Sequence, residues 1–416
     1  MRNQQIEQPQ LPAKNVRWRI LLAGFLLALV GGFSYSWGVL VLPLMEKYGW
    51  TRSEAILPFT TFMVIFSLVM VPAGKLQDRY GPKNVSAVGG VLFFVAYGLA
   101  AFVGYYPFAW WLVVTYGLIG GTACGLTYAC VAPSARKWFP DKPAFAVSST
   151  LMGFGLSALV FAPLKSEYLI PVHGIERTLL FIGVLILVVV LLASRMIQNP
   201  PEGWTPPNWK PTRIETDVAQ VKTEFSPKEI LNKRLFWMIW VTMALMISGG
   251  LMSIGLIPAY GSSVGLTSAE AALVLSIFSG FNGFGRPLAG SLADRFGIMR
   301  VMIVTYSIQT ATLLIFPIFA VNQLGLSISA ALLGWGFAVT LGLFPVLTSI
   351  CFGVKHLGFN YGLVFTAFGV GALAPSLGSW FAAINGGEAL AFFAAGVLAA
   401  VGLALCIIMY IQRVGR

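Results

Sequence analysis

GKLQDRYGPK at residues 74–83 returns as GSLADRFGIM at 290–299, a shift of 216 residues. Two other stretches return at the same shift. GWTRSEA at 49–55 reappears as GLTSAEA at 265–271, and Gly153 and Gly155 map onto Gly369 and Gly371. Three matches at one offset argue for a duplicated unit. Within the motif, Gly74 and Gly290 permit close helix approach. Asp78 with Arg79, and Asp294 with Arg295 in the second copy, stand at a helix end where charges pair or cap. The plainer reading is an ordinary short basic loop, and recurrence at the repeat offset argues against it.

The duplicated unit is apolar. Of 416 residues, 57% are hydrophobic and 10% charged, with a mean hydropathy of +0.80; a soluble domain is about 25% charged. Apolar runs of about 20 residues, enough to cross a ~30 Å hydrocarbon layer, recur along the chain. Loop punctuation gives twelve spans, near 18–44, 54–73, 84–104, 108–135, 143–165, 177–195, 236–261, 269–289, 300–321, 326–352, 359–384 and 388–411. The expected fold is an all-α membrane protein with twelve transmembrane helices in two six-helix repeats. A tail (1–17) precedes the first half (18–195). A linker (196–235), headed by PPEGWTPPNWKPTRIETD, leads to the second half (236–411) and a short tail (412–416). Parallel six-helix repeats with a midplane site between them are a transporter architecture.

The net charge of +12 invites a nucleic-acid reading, and the placement of the charges argues against it. Tails, even-numbered loops and linker hold 22 Lys and Arg; odd-numbered loops hold only Lys47, Arg52, Lys165 and Arg177. By the positive-inside rule both termini and the linker are cytoplasmic, in a multi-pass protein of the inner (cytoplasmic) membrane. Trp18–Leu44 is too long for the apolar core of a signal peptide. Every carboxylate falls outside the apolar midsections, six of the fifteen at the outer face. Cys124, Cys130, Cys351 and Cys406 lack metal-type spacing, and His173 and His356 fall in loops. No catalytic set, metal site or cofactor is expected, and no obligate protein partner is evident.

One basic residue remains. Arg286 lies in SGFNGFGRPLAG (279–290), in the eighth helix, about two turns inside the membrane. Burying it costs about 2.5–3.5 kcal/mol on insertion scales, and guanidinium cannot lose its proton. Snorkelling to the headgroups is the competing reading. Against it, Ser279, Asn282 and Arg286 make one polar stripe, and such stripes face a protein interior or a watery cavity. Gly280, Gly283 and Gly285 thin the helix around the charge, and Pro287 frees the Gly283 carbonyl and favours a kink. The arrangement suits an anion supplied from outside, and bidentate pairing makes a carboxylate the natural guest.

The duplicated loop motif resembles the signature of the major facilitator superfamily. Asn282-x-x-x-Arg286-Pro287 resembles the eighth-helix Asp/Asn-x-x-x-Arg-Pro of its monocarboxylate transporter family and the bacterial oxalate/formate antiporters. GGFSYSWGVLVLP (31–43), RKWFPDK (136–142) and FNYGL (359–363) resemble further motifs of that group. The resemblance implies carboxylate transport by alternating access, with Arg286 as anion anchor. It also implies that Gly74, Asp78, Arg79, Gly290, Asp294 and Arg295 latch one conformation without touching substrate. Tyr35 and Tyr128 match tyrosines of the antiporter and could offer hydroxyls to the guest. Phe365 and Phe368 could wall a small cavity.

Departures from the family pattern then discriminate. Phe368 stands where the oxalate-type exchanger has a lysine, which favours a single-charge guest over a dianion. Val39 stands where animal carriers keep a lysine. Asn282 replaces an aspartate and cannot titrate, which leaves the proton route open. The expected function is secondary transport of a small monocarboxylate such as lactate or pyruvate, with a proton as candidate co-substrate. An oxalate/formate-type exchanger and a carboxylate-binding membrane receptor are the alternatives.

Overall fold

The computed structural model describes residues 13–201, 204–206, 224–385, 387–412 and 414. The tail to residue 12, most of the proline-rich linker, Arg413 and Arg416 lie outside the described residues. Among those described, all regular structure is helical.

The duplication is visible in the second and eighth helices. The second helix spans Arg52–Tyr80 and the eighth Ser268–Phe296, the same bounds one repeat apart. Each opens on a capping box. The Thr51 hydroxyl accepts from the Glu54 N–H (3.3 Å) while the Glu54 carboxylate accepts from the Thr51 N–H (2.8 Å); Thr267 and Glu270 repeat this at 3.3 and 2.8 Å. These bonds satisfy N–H groups that a first turn leaves orphaned. The two helices end at Gly81 and Gly297, with φ of 79° and 90°, a left-handed turn that glycine adopts without strain.

Several helices depart from simple spans, the fourth through a wide π segment at Val113–Gly120. The first runs Ala13–Gly31, tightens into one 3₁₀ turn at Gly32–Ser36, and resumes as Gly38–Tyr48. The eleventh is split into Leu357–Gly371 and Ala374–Asn385. The fifth, Pro143–Pro163, continues through a wide π turn, Leu164–Leu169, into the sixth, Ile170–Met196, with the chain redirected at Gly174 (φ 75°). That turn corrects the loop assignment of Lys165. Its side chain is buried at 2% exposure, and its amine donates to Ser36 Oγ (2.6 Å) and the Phe33 carbonyl (3.4 Å).

Two helix pairs carry most of the contact between the halves, the second with the eleventh and the fifth with the eighth, and the tenth also packs on the fifth. Gly74 lies against the backbone of Gly358 and Phe359, and Gly290 against that of Ala144 and Phe145, so a Cβ at either would collide with main chain. Beside these contacts the motif carboxylates cross the seam. Asp78 accepts from the N–H groups of Gly358 (3.3 Å) and Phe359 (3.0 Å). Asp294 accepts from those of Ala144 (3.0 Å) and Phe145 (2.8 Å). Each caps a helix of the opposite half, where free N–H groups and the dipole favour an anion. Arg79 and Arg295 instead lie over Tyr80 and Phe296, 5.2 and 5.1 Å from the ring centres. Arg136 adds a 3.0 Å bond across the seam to Ser349 Oγ.

The face carrying the basic loops is therefore closed. Toward the opposite face a cavity of about 790 Å³ opens between the halves, from Ser53 and Glu388 at helix starts to Tyr35 and Met63.

Replacing both Asp78 and Asp294 by alanine removes four hydrogen bonds to ionised acceptors, each worth about 1.5–3 kcal/mol. The expected outcome is a population shift toward a form open at the basic face. Faster thiol labelling of an Ala144→Cys reporter, in a background free of native cysteines, would measure it.

Candidate anion site

The eighth helix positions Arg286 against the fifth. Its side chain is 0% exposed. Nε and Nη2 donate to Asn282 Oδ1 at 3.3 and 3.0 Å, and Nη1 donates to the Leu151 carbonyl at 2.5 Å. The i, i+4 spacing makes the first two bonds possible, because those positions are stacked on one helix face. The third bond crosses to the other half of the molecule. Ser279, the third member of the polar stripe, turns back to bond its own helix at Leu275. Pro287 sits inside an unbroken helix. Gly283 and Gly285 are filled by neighbours, Leu156 for the first and Trp335 with Ala338 for the second. Their thinness serves packing around the charge.

The sequence places no carboxylate beside Arg286, and the structure adds what does hold it. It has two acceptors, both neutral. Charge-assisted bonds of about 1.5–3 kcal/mol each are enough to offset the ~2.5–3.5 kcal/mol of insertion. The positive charge itself stays uncompensated, and two of the five N–H groups have no bond to protein. Around it stand three phenols, Tyr128, Tyr35 and Tyr361, close enough to act on it electrostatically. The hydroxyl of Tyr35 is buried without a hydrogen-bond partner.

The aromatic candidates fall into one cluster. Tyr35 meets Phe154 edge-on at 4.8 Å, and Phe154 meets Tyr128 at 5.4 Å. Phe365 lies 5.6 Å from Tyr128 and stacks on Phe368 at 5.0 Å. Phe66 touches Phe365 at 5.1 Å and Phe154 at 6.0 Å. Tyr35 also lines the large cavity, so it belongs to both the open space and the cluster.

Phe66, Phe154, Tyr361 and the Leu151 carbonyl are site components that the sequence reading misses. The repeat offset carries a signal for one of them: Asn282 and Arg286 correspond to Phe66 and Met70 in the first half. The duplicated helix thus contributes a polar pair from one copy and apolar residues from the other. No pattern of side chains announces a backbone carbonyl. Among the described residues no group of His, Cys, Asp and Glu could hold a metal ion.

The model of the Major Facilitator Superfamily matches residues 20–372 and again 242–415. The oxalate:formate antiporter of Oxalobacter formigenes is 27% identical over 403 residues, covering 96% of this chain and 93% of that protein. Apicoplast pyruvate carrier 1 of Toxoplasma gondii is 25% identical over 366 residues, covering 75% of this chain and 66% of that one. A solved structure of the proton:xylose symporter XylE superposes with a TM-score of 0.67 at 16% identity, over 95% of this chain and 96% of that one. That likeness speaks to the fold.

An acid at position 282 would tie up the guanidinium. In Asn282→Asp the ionised carboxylate competes with any guest for Arg286, so binding of a carboxylate should weaken at neutral pH. It should recover as pH falls and the aspartate takes up a proton. Counterflow of a labelled carboxylate at equal pH on both sides, run from pH 5 to 8, should fall toward neutral pH more steeply in the variant than in the parent protein.

Proposed function

The chain belongs to the major facilitator superfamily, and we propose that it is a secondary carrier of a small monocarboxylate, lactate- or pyruvate-like, working by alternating access with a proton as coupling ion. The observation that carries this reading is Arg286: wholly buried, at the seam between halves, held by neutral acceptors and with N–H groups to spare. A carboxylate completes that site by pairing with the two free N–H groups. Asn282 aims the guanidinium, Tyr35 and Tyr128 offer hydroxyls to the guest, and Phe365 and Phe368 wall it. Gly74, Asp78, Arg79, Gly290, Asp294 and Arg295 act as the latch that holds the basic face shut. Residues 18–195 and 236–411 rock as two bodies about the site, joined by the 196–235 linker. The bias of 22 basic residues to 4 supports a cytoplasmic placement for the basic face and both termini, with the cavity opening outward.

The similarity to an oxalate:formate antiporter favours a second reading, a formate/oxalate-type exchanger. Phe368 weighs against oxalate as the main cargo, because a second carboxylate would enter an apolar stack without a counter-charge.

Purified protein in liposomes separates the two. Counterflow of labelled lactate or pyruvate is expected; movement of oxalate without either monocarboxylate would overturn the first reading in favour of the second. Arg286→Ala should abolish counterflow while leaving insertion intact. Arg286→Lys should lower it about tenfold or more, because an ammonium cannot reproduce the planar fork.

A further inference from the structure

Lys165 is a second buried cation, and nothing in the carboxylate site uses it. Its amine bonds Ser36 Oγ and the Phe33 carbonyl, both neutral, and its ammonium group stands 5.6 Å from the Phe33 ring centre. An apolar void of about 160 Å³ adjoins it, lined by Phe161, Leu164, Leu169 and Phe181 among others. The ionisable groups on the elements packed against it are engaged elsewhere or face outward. On Gly38–Tyr48, Glu46 is exposed, while Lys47 and Tyr48 bond Glu176 at 2.5 and 2.7 Å. On its own turn, Glu167 and Tyr168 are exposed. On the sixth helix, Arg177 is exposed and His173 lies between the rings of Tyr168 and Phe181. The fifth helix, Pro143–Pro163, contributes no ionisable group. Tyr35 shares the 3₁₀ turn that Lys165 grips.

Two chemical facts make this lysine suited to carrying a proton. An ammonium has three N–H donors and a neutral amine has two. Both of its bonds therefore survive loss of the proton, and the charged form gains no further partner. Unlike guanidinium, an amine can release its proton in response to its surroundings. Around the anion site itself that freedom is lacking: Asn282 does not titrate, Arg286 stays charged, and Asp78 and Asp294 cap helices at the closed face, while Glu388 lines the cavity only at the start of the last helix. The lysine also sits on a wide π turn, a feature that recurs at functional positions in helices.

We infer that Lys165 is the site that binds the coupling proton, exchanging between amine and ammonium as the cavity beside Tyr35 fills and empties. The inference rests on the carboxylate-carrier reading above. The link runs through the 3₁₀ turn of the first helix: Tyr35 lines the cavity, and Ser36, its neighbour, holds the lysine. An anion arriving near Tyr35 favours the charged lysine, and the charged lysine favours the anion.

The test compares counterflow with net uptake driven by an inward proton gradient, in liposomes of defined lipid. The parent protein is expected to show lactate or pyruvate counterflow, with net uptake rising severalfold when the outside is acidified. Lys165→Gln should keep counterflow and lose the acceleration. Lys165→Arg, whose charge is permanent, should lose it as well. Lys165→His should restore it with the pH midpoint moved to more acidic values, an effect that a merely structural lysine would not produce. Should Lys165→Gln fail to insert, the arginine and histidine variants decide. Counterflow in the parent without any gradient response, or full acceleration in Lys165→Gln or Lys165→Arg, would overturn the assignment and leave the carrier reading standing. Absence of carboxylate counterflow in the parent would overturn the carrier reading itself.

Discussion

A guanidinium inside a membrane protein cannot shed its charge, and the architecture around Arg286 is arranged about that constraint. Its neighbours supply acceptors but no anion: one amide oxygen four residues back and one carbonyl from the facing half. A carboxylate in place of Asn282 would have made a closed ion pair, and removing one partner of a buried pair costs about 3–5 kcal/mol. A guest anion would then have to break that pair on every visit. Neutral acceptors fix the geometry of the cation and leave its charge available.

The duplication gives this site its asymmetry. The second and eighth helices share bounds, caps and closing glycine, yet Asn282 and Arg286 face Phe66 and Met70 at the corresponding positions. Symmetric backbone carries asymmetric chemistry. The latch keeps the symmetry that the site has lost, because Asp78 and Asp294 do the same work on opposite sides of the seam. That difference is physically reasonable. Closing a face requires both halves to grip each other, whereas the single-charge guest proposed above needs one cation.

Much of this is legible in the sequence, for identifiable reasons. The repeated motif fixes the offset, and the offset aligns the helices. Arg286 stands out because a permanent charge in an apolar run is costly whatever its surroundings. The aromatic cluster is legible only in part: Tyr35, Tyr128 and Phe368 come from positions matched in the family and Phe365 from its place beside Phe368, while Phe66 and Phe154 look like any packing phenylalanine until the helices are brought together. Lys165 is misplaced for a different reason. Hydropathy ends the fifth helix at about residue 165, in the polar Lys165–Glu167 run, but the chain continues as a wide turn. Whether the lysine points to water or inward depends on the 3₁₀ turn of the first helix, which is distant in sequence.

The charge on the seam also bears on how such a carrier cycles. With Arg286 unpaired, the empty site holds a net positive charge between the halves, and an anion makes it neutral. Sliding packed helices past a bare buried charge is harder than past a compensated one, so the loaded form reorients more readily than the empty form. A carrier with that bias exchanges one anion for another faster than it moves anions in one direction. Net movement then needs a second cargo whose departure on the far side is independent of the anion. An amine bonded to the same turn as Tyr35 supplies that degree of freedom while the guanidinium keeps its neutral acceptors.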